Sequence, residues 1–444
     1  MLTIAVLLAC QVSQATVDQT IEQVRDPIIR KGFDSAVNRN LLPAATELVY
    51  PGHFTINADG GGYGNDTTWP GLDSWQMAGA YLLIGKTRIA TDYFDFVQAS
   101  QRSDGNIPFA IFPGETEPGS TYLRGLRVPQ DVFTYRPPIR NDLPESSRKV
   151  RKWVGLFTHW ETISKPLNTL GPICYVLTAS EIYQATRDKA WLQFHLASVE
   201  RTGNYLASQI TENGLMQGSG FYTELPPRFG WDGVTQCYAV EAFHDLAHLA
   251  DAAGDHKRAR FWNTWANNLT KSFRKQFWNQ DHFVEYIHIK RGPIDLHGLS
   301  DTNWAAIAFG VADAAQAKAL WQRLITTKEF WPGNMPTLTT TKPDKYEAWE
   351  HESVPFSIPP PTHDVASMGR TWYLEALACK RMHDKERLLL SAQLVAKMAK
   401  DGYWRERYNP TKEGGVKPSG SEKYCEYAAV FARVVLENKS VFLK

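Results

Sequence analysis

One glutamate in this sequence stands in a setting suited to acid–base chemistry. In Gly402-Tyr403-Trp404-Arg405-Glu406-Arg407-Tyr408-Asn409-Pro410, Glu406 lies between two arginines and among aromatic rings, just past Asp401-Gly402, where a helix should stop. An adjacent arginine keeps a carboxyl ionised, and an ionised carboxylate is what takes a proton from water. The plainer reading of the same residues is an exposed loop glutamate paired with arginine. A second acidic and aromatic cluster, Glu347-Ala348-Trp349-Glu350-His351-Glu352, reads by itself as a solvated loop. The aromatic content, 15 Trp, 18 Tyr and 21 Phe, exceeds what a core alone requires. A pyranose offers an apolar CH face that stacks on such rings, although a large helical protein also packs with them.

Other chemistries lack their residues. The sequence has no phosphate-cradling glycine loop, no Gly-x-Ser-x-Gly elbow and no His-Glu-x-x-His, which removes the usual support for nucleotide, serine-hydrolase and zinc-protease readings. The 48 Lys and Arg nearly balance the 47 Asp and Glu, so no basic block tracks a phosphate backbone and nucleic acid is not an expected partner. Cys174, Cys237, Cys379 and Cys425 form no Cys-x-x-Cys pair and sit among apolar residues as small buried hydrophobes do, so no metal site and no cofactor is expected. One disulfide among them is compatible with export, with no pairing readable.

The elements that must position these groups are mostly helices. Apolar residues recur at helical spacing through most of the chain, and strand alternation is confined to short pieces such as residues 283–289. Helices are predicted over 17–31, 70–84, 88–101, 163–186, 189–209, 235–253, 256–277, 302–312, 314–327, 363–382, 384–400 and 421–437. A weak repeat joins them: Thr186-Arg187-Asp188-Lys189, Gly254-Asp255-His256-Lys257, His383-Asp384-Lys385 and Gly85-Lys86-Thr87 are polar turns between an apolar and an amphipathic helix. Twelve helices suit six hairpins closed in a ring, an all-α (α/α)6 toroid. Between residues 112 and 153 the periodicity vanishes, and so long an aperiodic stretch reads as a functional loop or an insertion.

Against that background, Glu406-Arg407-Tyr408-Asn409-Pro410 resembles the segment that carries the base in the α-toroid glycosidases of family 63 and the trehalases. The surroundings match in order, with Gly369-Arg370-Thr371-Trp372 opening a helix before it and an aromatic helix from Tyr424 after it. Near the N-terminus, Gly60-Gly61-Gly62-Tyr63 followed by Leu72-Asp73-Ser74-Trp75 is similar to the stretch that lines the sugar pocket in trehalases. Residues 101–108 resemble a turn that follows the next helix in these toroids. The resemblance implies that Asp73 accepts hydrogen bonds from sugar hydroxyls with Trp69 or Trp75 beside the ring; capping its helix is the plainer role of Asp73. Further substrate contacts are expected from Arg228, Trp231, Trp372 and Tyr408.

For the general acid the chain departs from the family, which places an Asp two residues after Ser-Gly and four before an Arg. Here the forward count from Ser219-Gly220 lands on Tyr222 and the backward count from Arg228 lands on Glu224. A two-residue insertion reconciles them and makes Glu224 the acid, beside Pro226, Pro227 and Trp231, whose apolar surface would keep it protonated. Asp232, in Gly230-Trp231-Asp232-Gly233, is the rival, with helix capping as its plain role.

The expectation is thus an enzyme that hydrolyses an O-glycosidic bond, α-glucoside-like, by an inverting single displacement with a Glu acid and a Glu base. Alternatives on the same fold are a non-catalytic glycan-binding toroid and a polysaccharide lyase or epimerase. Residues 1–15 carry an apolar run ending at Cys10 and then Ser13-Gln14-Ala15, a small-x-small cleavage site, so they read as a signal peptide before one domain over 16–444. The run is too short to span a bilayer, and the product is expected to be secreted or periplasmic, or lipid-anchored through Cys10. The partner is a glycoside or oligosaccharide; the oligomeric state leaves no mark in the sequence.

Overall fold

The computed structural model describes residues 17–45, 52–58, 67–114, 130–133, 155–160, 169–218, 228–331, 338–342, 345–351, 366–399, 402–411 and 416–444. The expected signal segment, Gly60 to Tyr63, Ser219, Gly220 and Glu224 lie outside these residues.

The polar turns noted in the sequence make the hairpins. Helix α4 (Leu170–Thr186) ends at Arg187, whose φ of 53° turns the chain, and Asp188 then caps α5 (Lys189–Ser208) by accepting from the amides of Ala190 and Trp191. The same two steps recur between α6 (Gly233–Ala252) and α7 (His256–Phe277), where Gly254 has a φ of 87° and Asp255 accepts from the Arg258 amide. They recur again between α10 (Gly369–Arg381) and α11 (Lys385–Ala396), through His383 with a φ of 57° and Asp384. A left-handed residue reverses the chain, and a carboxylate at once satisfies the first free amides of the next helix.

Burial separates inner from outer helices. α4 is buried on all sides from Leu170 to Ser180, whereas α7 buries one stripe, Ala259, Trp262, Ala266, Leu269, Phe273 and Phe277, at the spacing of a single helix face. With α2 (Leu72–Leu83), α8 (Asp301–Ala308) and α12 (Cys425–Glu437), the inner helices pack in sequence, α2 on α4, α4 on α6, α6 on α8, α8 on α10, α10 on α12, and α12 returns to α2. The ring is closed. α3 (Thr87–Gln98), α5, α7, α9 (Ala314–Thr326) and α11 cover their preceding inner partners. The cover of α12 comes from the other end of the chain, α1 (Pro27–Asp34) and the π-helical turn Ser35–Leu41. The all-α toroid is therefore the fold.

Several boundaries moved for local reasons. The helix expected over 17–31 breaks at Val24, which pairs with Leu443, and restarts at Pro27 under an Asp26 cap. The last helix begins at Cys425 because residues before it form a strand. The aperiodic stretch holds strands β1 (Ala110–Gly114), β2 (Gln130–Phe133) and β3 (Gly155–His159) in an antiparallel sheet ordered β1-β3-β2. The expected strand near 283–289 is present as β5 (Tyr286–His288), between β4 (Gly230–Asp232) and β6 (Gly292–Ile294). β7 (Ser367–Met368), β8 (Arg405–Pro410) and β9 (Val416–Glu422) form a third sheet ordered β9-β8-β7. The four cysteines from Cys174 onward are buried thiols, not joined in disulfides.

Leu83 of α2, Ala185 of α4, Asp245 of α6, Lys380 of α10 and Glu437 of α12 line one cavity, together with Phe309 just after α8. The C-terminal halves of all six inner helices thus meet at one end of the ring. Their N-termini meet at the other.

Candidate active site

Helix N-termini carry partial positive charge and free amides, and favour carboxylates. Asp73 stands in the first turn of α2 and is 6% exposed. It is not the cap, since Gly71 holds that position. Burial pushes its carboxyl up to about 6, opposed by the Arg370 guanidinium and a hydrogen bond from the Tyr424 hydroxyl, with Glu406 adding to the rise. Oδ1 of Asp73 has no hydrogen-bond partner among the described residues.

Glu406 arrives on β8, whose neighbour β7 runs straight into α10, so the strand pair brings Glu406 and Arg370 to the same end. The Arg407 Nη1 donates to its Oε1 at 2.9 Å and the Ser421 amide donates to its Oε2 at 2.8 Å. A Cβ on Gly420 would stand 2.1 Å from that Oε2, and Gly420 has a φ of 74°, so glycine is required on both counts. Glu426, in the first turn of α12, completes the group. It is fully buried, accepts from the Arg370 amide at 2.8 Å, and leaves Oε2 without a partner among the described residues. Burial pushes its carboxyl up to about 8, against the pull of Arg370 and with Asp73 and Glu406 adding. One carboxylate anchored by donors therefore shares its surroundings with Glu426, which holds its proton at neutrality, and with Asp73, which at about 6 is mostly ionised there. Glu406 can accept a proton from water, Glu426 can both donate to and accept from hydroxyls, and Asp73 can accept from them.

A second ionic cluster surrounds Arg228, which is 1% exposed. Its guanidinium meets Asp232 at 2.8 Å, Glu285 at 2.7 Å and Asp301 at 2.9 Å. Glu285 also accepts from the Tyr346 hydroxyl at 2.9 Å and from His297, whose other nitrogen donates to Glu350 at 3.2 Å. The two flanking carboxylates overcome burial and raise the His297 imidazole to about 10. Arg228 and His297 hold Glu285 down to about 2 despite its burial. Burial raises Asp301 to about 7, with Arg228 opposing. Glu350 is 1% exposed, so the acidic cluster at residues 347–352 is not a solvated loop at this position.

The expected site residues separate. Asp73 and Glu406 lie at the N-terminal end, and Trp69 joins them there through its amide, which donates to the Ser74 hydroxyl at 3.2 Å; it packs edge-on to Phe109 at 5.0 Å and leaves its Nε1 without a partner among the described residues. Trp75 turns to the other end, where its Nε1 donates to Glu181 at 3.1 Å and its ring meets Tyr238 and Tyr373, so it does not stand beside a sugar next to Asp73. Trp372 is fully buried between Tyr427 and Phe431 and donates to Ser391, and Tyr408 is 2% exposed with its hydroxyl accepting from the Arg405 amide. Both are core residues. Arg228 has its guanidinium committed to three carboxylates. Trp231 is partly buried and donates to Thr211 at 3.1 Å. Asp232 gives Oδ1 to Arg228 and Oδ2 to the amide and hydroxyl of Thr235, the arrangement of an N-cap.

Sequence reasoning missed Arg370 and Glu426. The available signal was position, since both open the helices that flank Glu406, but the aromatic neighbours drew the reading instead.

Residues 230–425 match the mannosylglycerate hydrolase MGH1-like glycoside hydrolase domain. This stretch is similar to that glycoside hydrolase family. It runs from β4 to the first residue of α12 and carries Asp232, Arg370 and Glu406, and it bears out the resemblance to family 63 and the expected enzyme class. No curated protein sequence matches the chain. The fold is similar to the GH63 mannosylglycerate hydrolase from Thermus thermophilus in complex with glucose, with a TM-score of 0.60 and 14% identity, over 88% of this chain and 98% of that one. It is similar to the GH78 family rhamnosidase of a Bacillus species, with a TM-score of 0.56 and 14% identity over 93% of this chain and 35% of that one. A rhamnosidase from Klebsiella oxytoca with rhamnose bound gives a TM-score of 0.55 and 12% identity over 92% and 64%.

Proposed function

We propose that this MGH1-like glycoside hydrolase cleaves an α-linked hexoside, glucoside-like, by single displacement with inversion. Glu406 is the base and Glu224 the acid. The observation that carries the reading is the convergence of Glu406, held by Arg407 and the Ser421 amide, with Asp73, Arg370 and Glu426 at the N-terminal end of the ring. Water activated by Glu406 attacks the anomeric carbon, and the proton lost from that water goes to the Glu406 carboxylate. The acid on the opposite face protonates the leaving oxygen as its bond to carbon breaks. Glu426, which keeps its proton at neutrality, and Asp73, as an acceptor, orient the sugar hydroxyls. Asp232 is set aside as the acid because both its oxygens accept from protein donors, Arg228 and Thr235, which suits an acceptor and not a proton donor.

Two carboxyls that admit a water between them stand ~6.5–9.5 Å apart, against ~5–5.5 Å when one of them attacks directly. Proton NMR of the first-formed sugar decides between the two: inversion supports the reading, and retention overturns it. The substrate screen should include α-mannosides with α-glucosides, since the matched domain is named for mannosylglycerate hydrolase.

Export of the chain, with cleavage after Ala15, rests on the apolar start and Ser13-Gln14-Ala15. N-terminal sequencing of the exported protein should begin at Thr16; intact Met1 in a cytoplasmic fraction overturns export, and lipid on Cys10 selects the anchored form.

A further inference from the structure

The cavity at the C-terminal ends of the inner helices holds about 480 Å³, and Asp73, Arg370, Glu406 and Glu426 are not among the residues that line it. Counting along α6, the twelve steps from Gly233 to Asp245 separate it from the N-terminal end of the ring by roughly 18 Å at 1.5 Å per residue. Its volume lies in the range of small-molecule sites. Its charged wall is unbalanced: Glu181, Glu241, Asp245 and Glu437 face Lys380 and Arg433.

Arg433 spends its charge on two of these carboxylates, meeting Glu181 at 2.6 Å and Glu437 at 3.0 Å. Glu241 and Asp245 stand one helical turn apart on α6, where two negative charges repel. Burial, with Glu241 beside it, pushes the Asp245 carboxyl well above the ordinary range, and burial raises Glu241 as well. The cations near Glu241, His248 and Arg381, are not among the residues that line the cavity, and Ser180 donates to Asp245. A second observation is independent of the acidic excess. Arg433 is 3% exposed, yet its Nη1 has no hydrogen-bond partner among the described residues, and the same holds for Oε2 of Glu181. Both atoms lie over Gly79, also in the cavity wall, within 2.4 and 2.7 Å of where a Cβ would stand. The absence of a side chain at residue 79 makes room for this donor and acceptor. A hydroxyl group, which accepts and donates, answers both atoms, and an ammonium answers the carboxylate pair.

We propose that this cavity binds a hydroxylated amine of about monosaccharide size, its ammonium between Glu241 and Asp245 and its hydroxyls at Arg433 and Glu181. The test is calorimetric titration of the full chain with D-glucosamine, with D-glucose as the neutral probe, in the wild type and in the Asp245→Asn and Glu241→Gln variants. Asp245→Asn keeps the shape of the protonated acid, and circular dichroism verifies its fold. Leu83→Trp, at a rim position that is 39% exposed, blocks the cavity by bulk without touching a charge. Expected are saturable binding of glucosamine at least tenfold tighter than glucose, and a loss of tenfold or more in each variant. Equal affinity for glucosamine and glucose overturns the proposal, as does glucosamine binding that all three variants leave unchanged, which would place it at the catalytic end. The readout is binding and not turnover, so it stands apart from the fate of the Glu406 assignment.

Discussion

Glu406 and Asp232 are both nearly buried carboxylates held by arginine, and what distinguishes them is what else holds them. Asp232 is locked between Arg228 and the first turn of α6, whereas Glu406 is held from the strand side and shares its surroundings with the raised carboxyls of Asp73 and Glu426. Glu406→Gln keeps the shape and removes the proposed base, so turnover should fall by orders of magnitude while substrate affinity is largely kept, as read by single-turnover and binding measurements. Asp232→Asn should instead lower stability by about 3 kcal/mol in urea unfolding, the low end for a broken buried pair because Glu285 and Asp301 still neutralise Arg228. It should leave the dependence of rate on leaving group unchanged. Glu224→Gln should slow glycosides with poor leaving groups most, since acidic phenols depart without a proton. If the Asp232 variant shows that pattern and the Glu224 variant does not, the acid is Asp232.

At the scale of elements, the hairpins were legible because each reversal is written locally, as a residue that tolerates positive φ followed by an aspartate cap: Arg187-Asp188, Gly254-Asp255, His383-Asp384. Glu406 was legible for a similar reason, since its arginines flank it in sequence. Arg370 and Glu426 were not, because their meaning comes from the ring that brings the starts of α10 and α12 together. Trp75, Trp372 and Tyr408 misled the reading because an aromatic residue announces apolar area and not direction. Two residues beyond Asp73 on α2, Trp75 points to the opposite end of the ring. The β1-β3-β2 sheet was hidden by a long aperiodic sequence. It joins the site through Thr68, whose amide donates to the Ile111 carbonyl at 2.8 Å immediately before Trp69. Deleting residues 115–141 should therefore raise the Michaelis constant and leave the far-ultraviolet circular dichroism of the ring nearly unchanged. Unaltered kinetics would make the stretch a plain insertion.

At the scale of the whole molecule, the buried ionisable groups set a direction for stability with pH. Asp73, Asp301 and Glu426 are raised to about 6, 7 and 8, so between their unfolded values and these the native state holds more protons, and stability falls as pH rises through that window. His297, raised to about 10, contributes stability that is complete below its unfolded value and is lost as pH climbs towards 10. Glu285, held down at about 2, acts at the acid side, where its contribution is lost as pH falls through that value. The melting temperature should accordingly be highest in mildly acidic buffer and decline steadily to pH 9; a maximum above pH 8 would contradict these assignments.

The closure of the ring by α12 and α1 also bears on how the chain reaches this state. α12 is the last inner helix to be synthesised, and until it arrives the flanks of α2 and α10 that it covers have no apolar partner. A nascent chain must therefore carry five-sixths of a ring with two sticky edges, the condition in which aggregation competes with folding and chaperones are engaged. The seam itself is tight: the Arg25 amide donates to the Phe442 carbonyl and the Lys444 amide to the Gln23 carbonyl, both at 2.9 Å. Because residues 23–25 and 442–444 already touch, a short linker could join them and the chain could be reopened at the Gly254 turn. Such a circular permutant would keep every inner contact while moving the vulnerable seam to α6 and α8, transferring the last step of assembly to a different pair of helices.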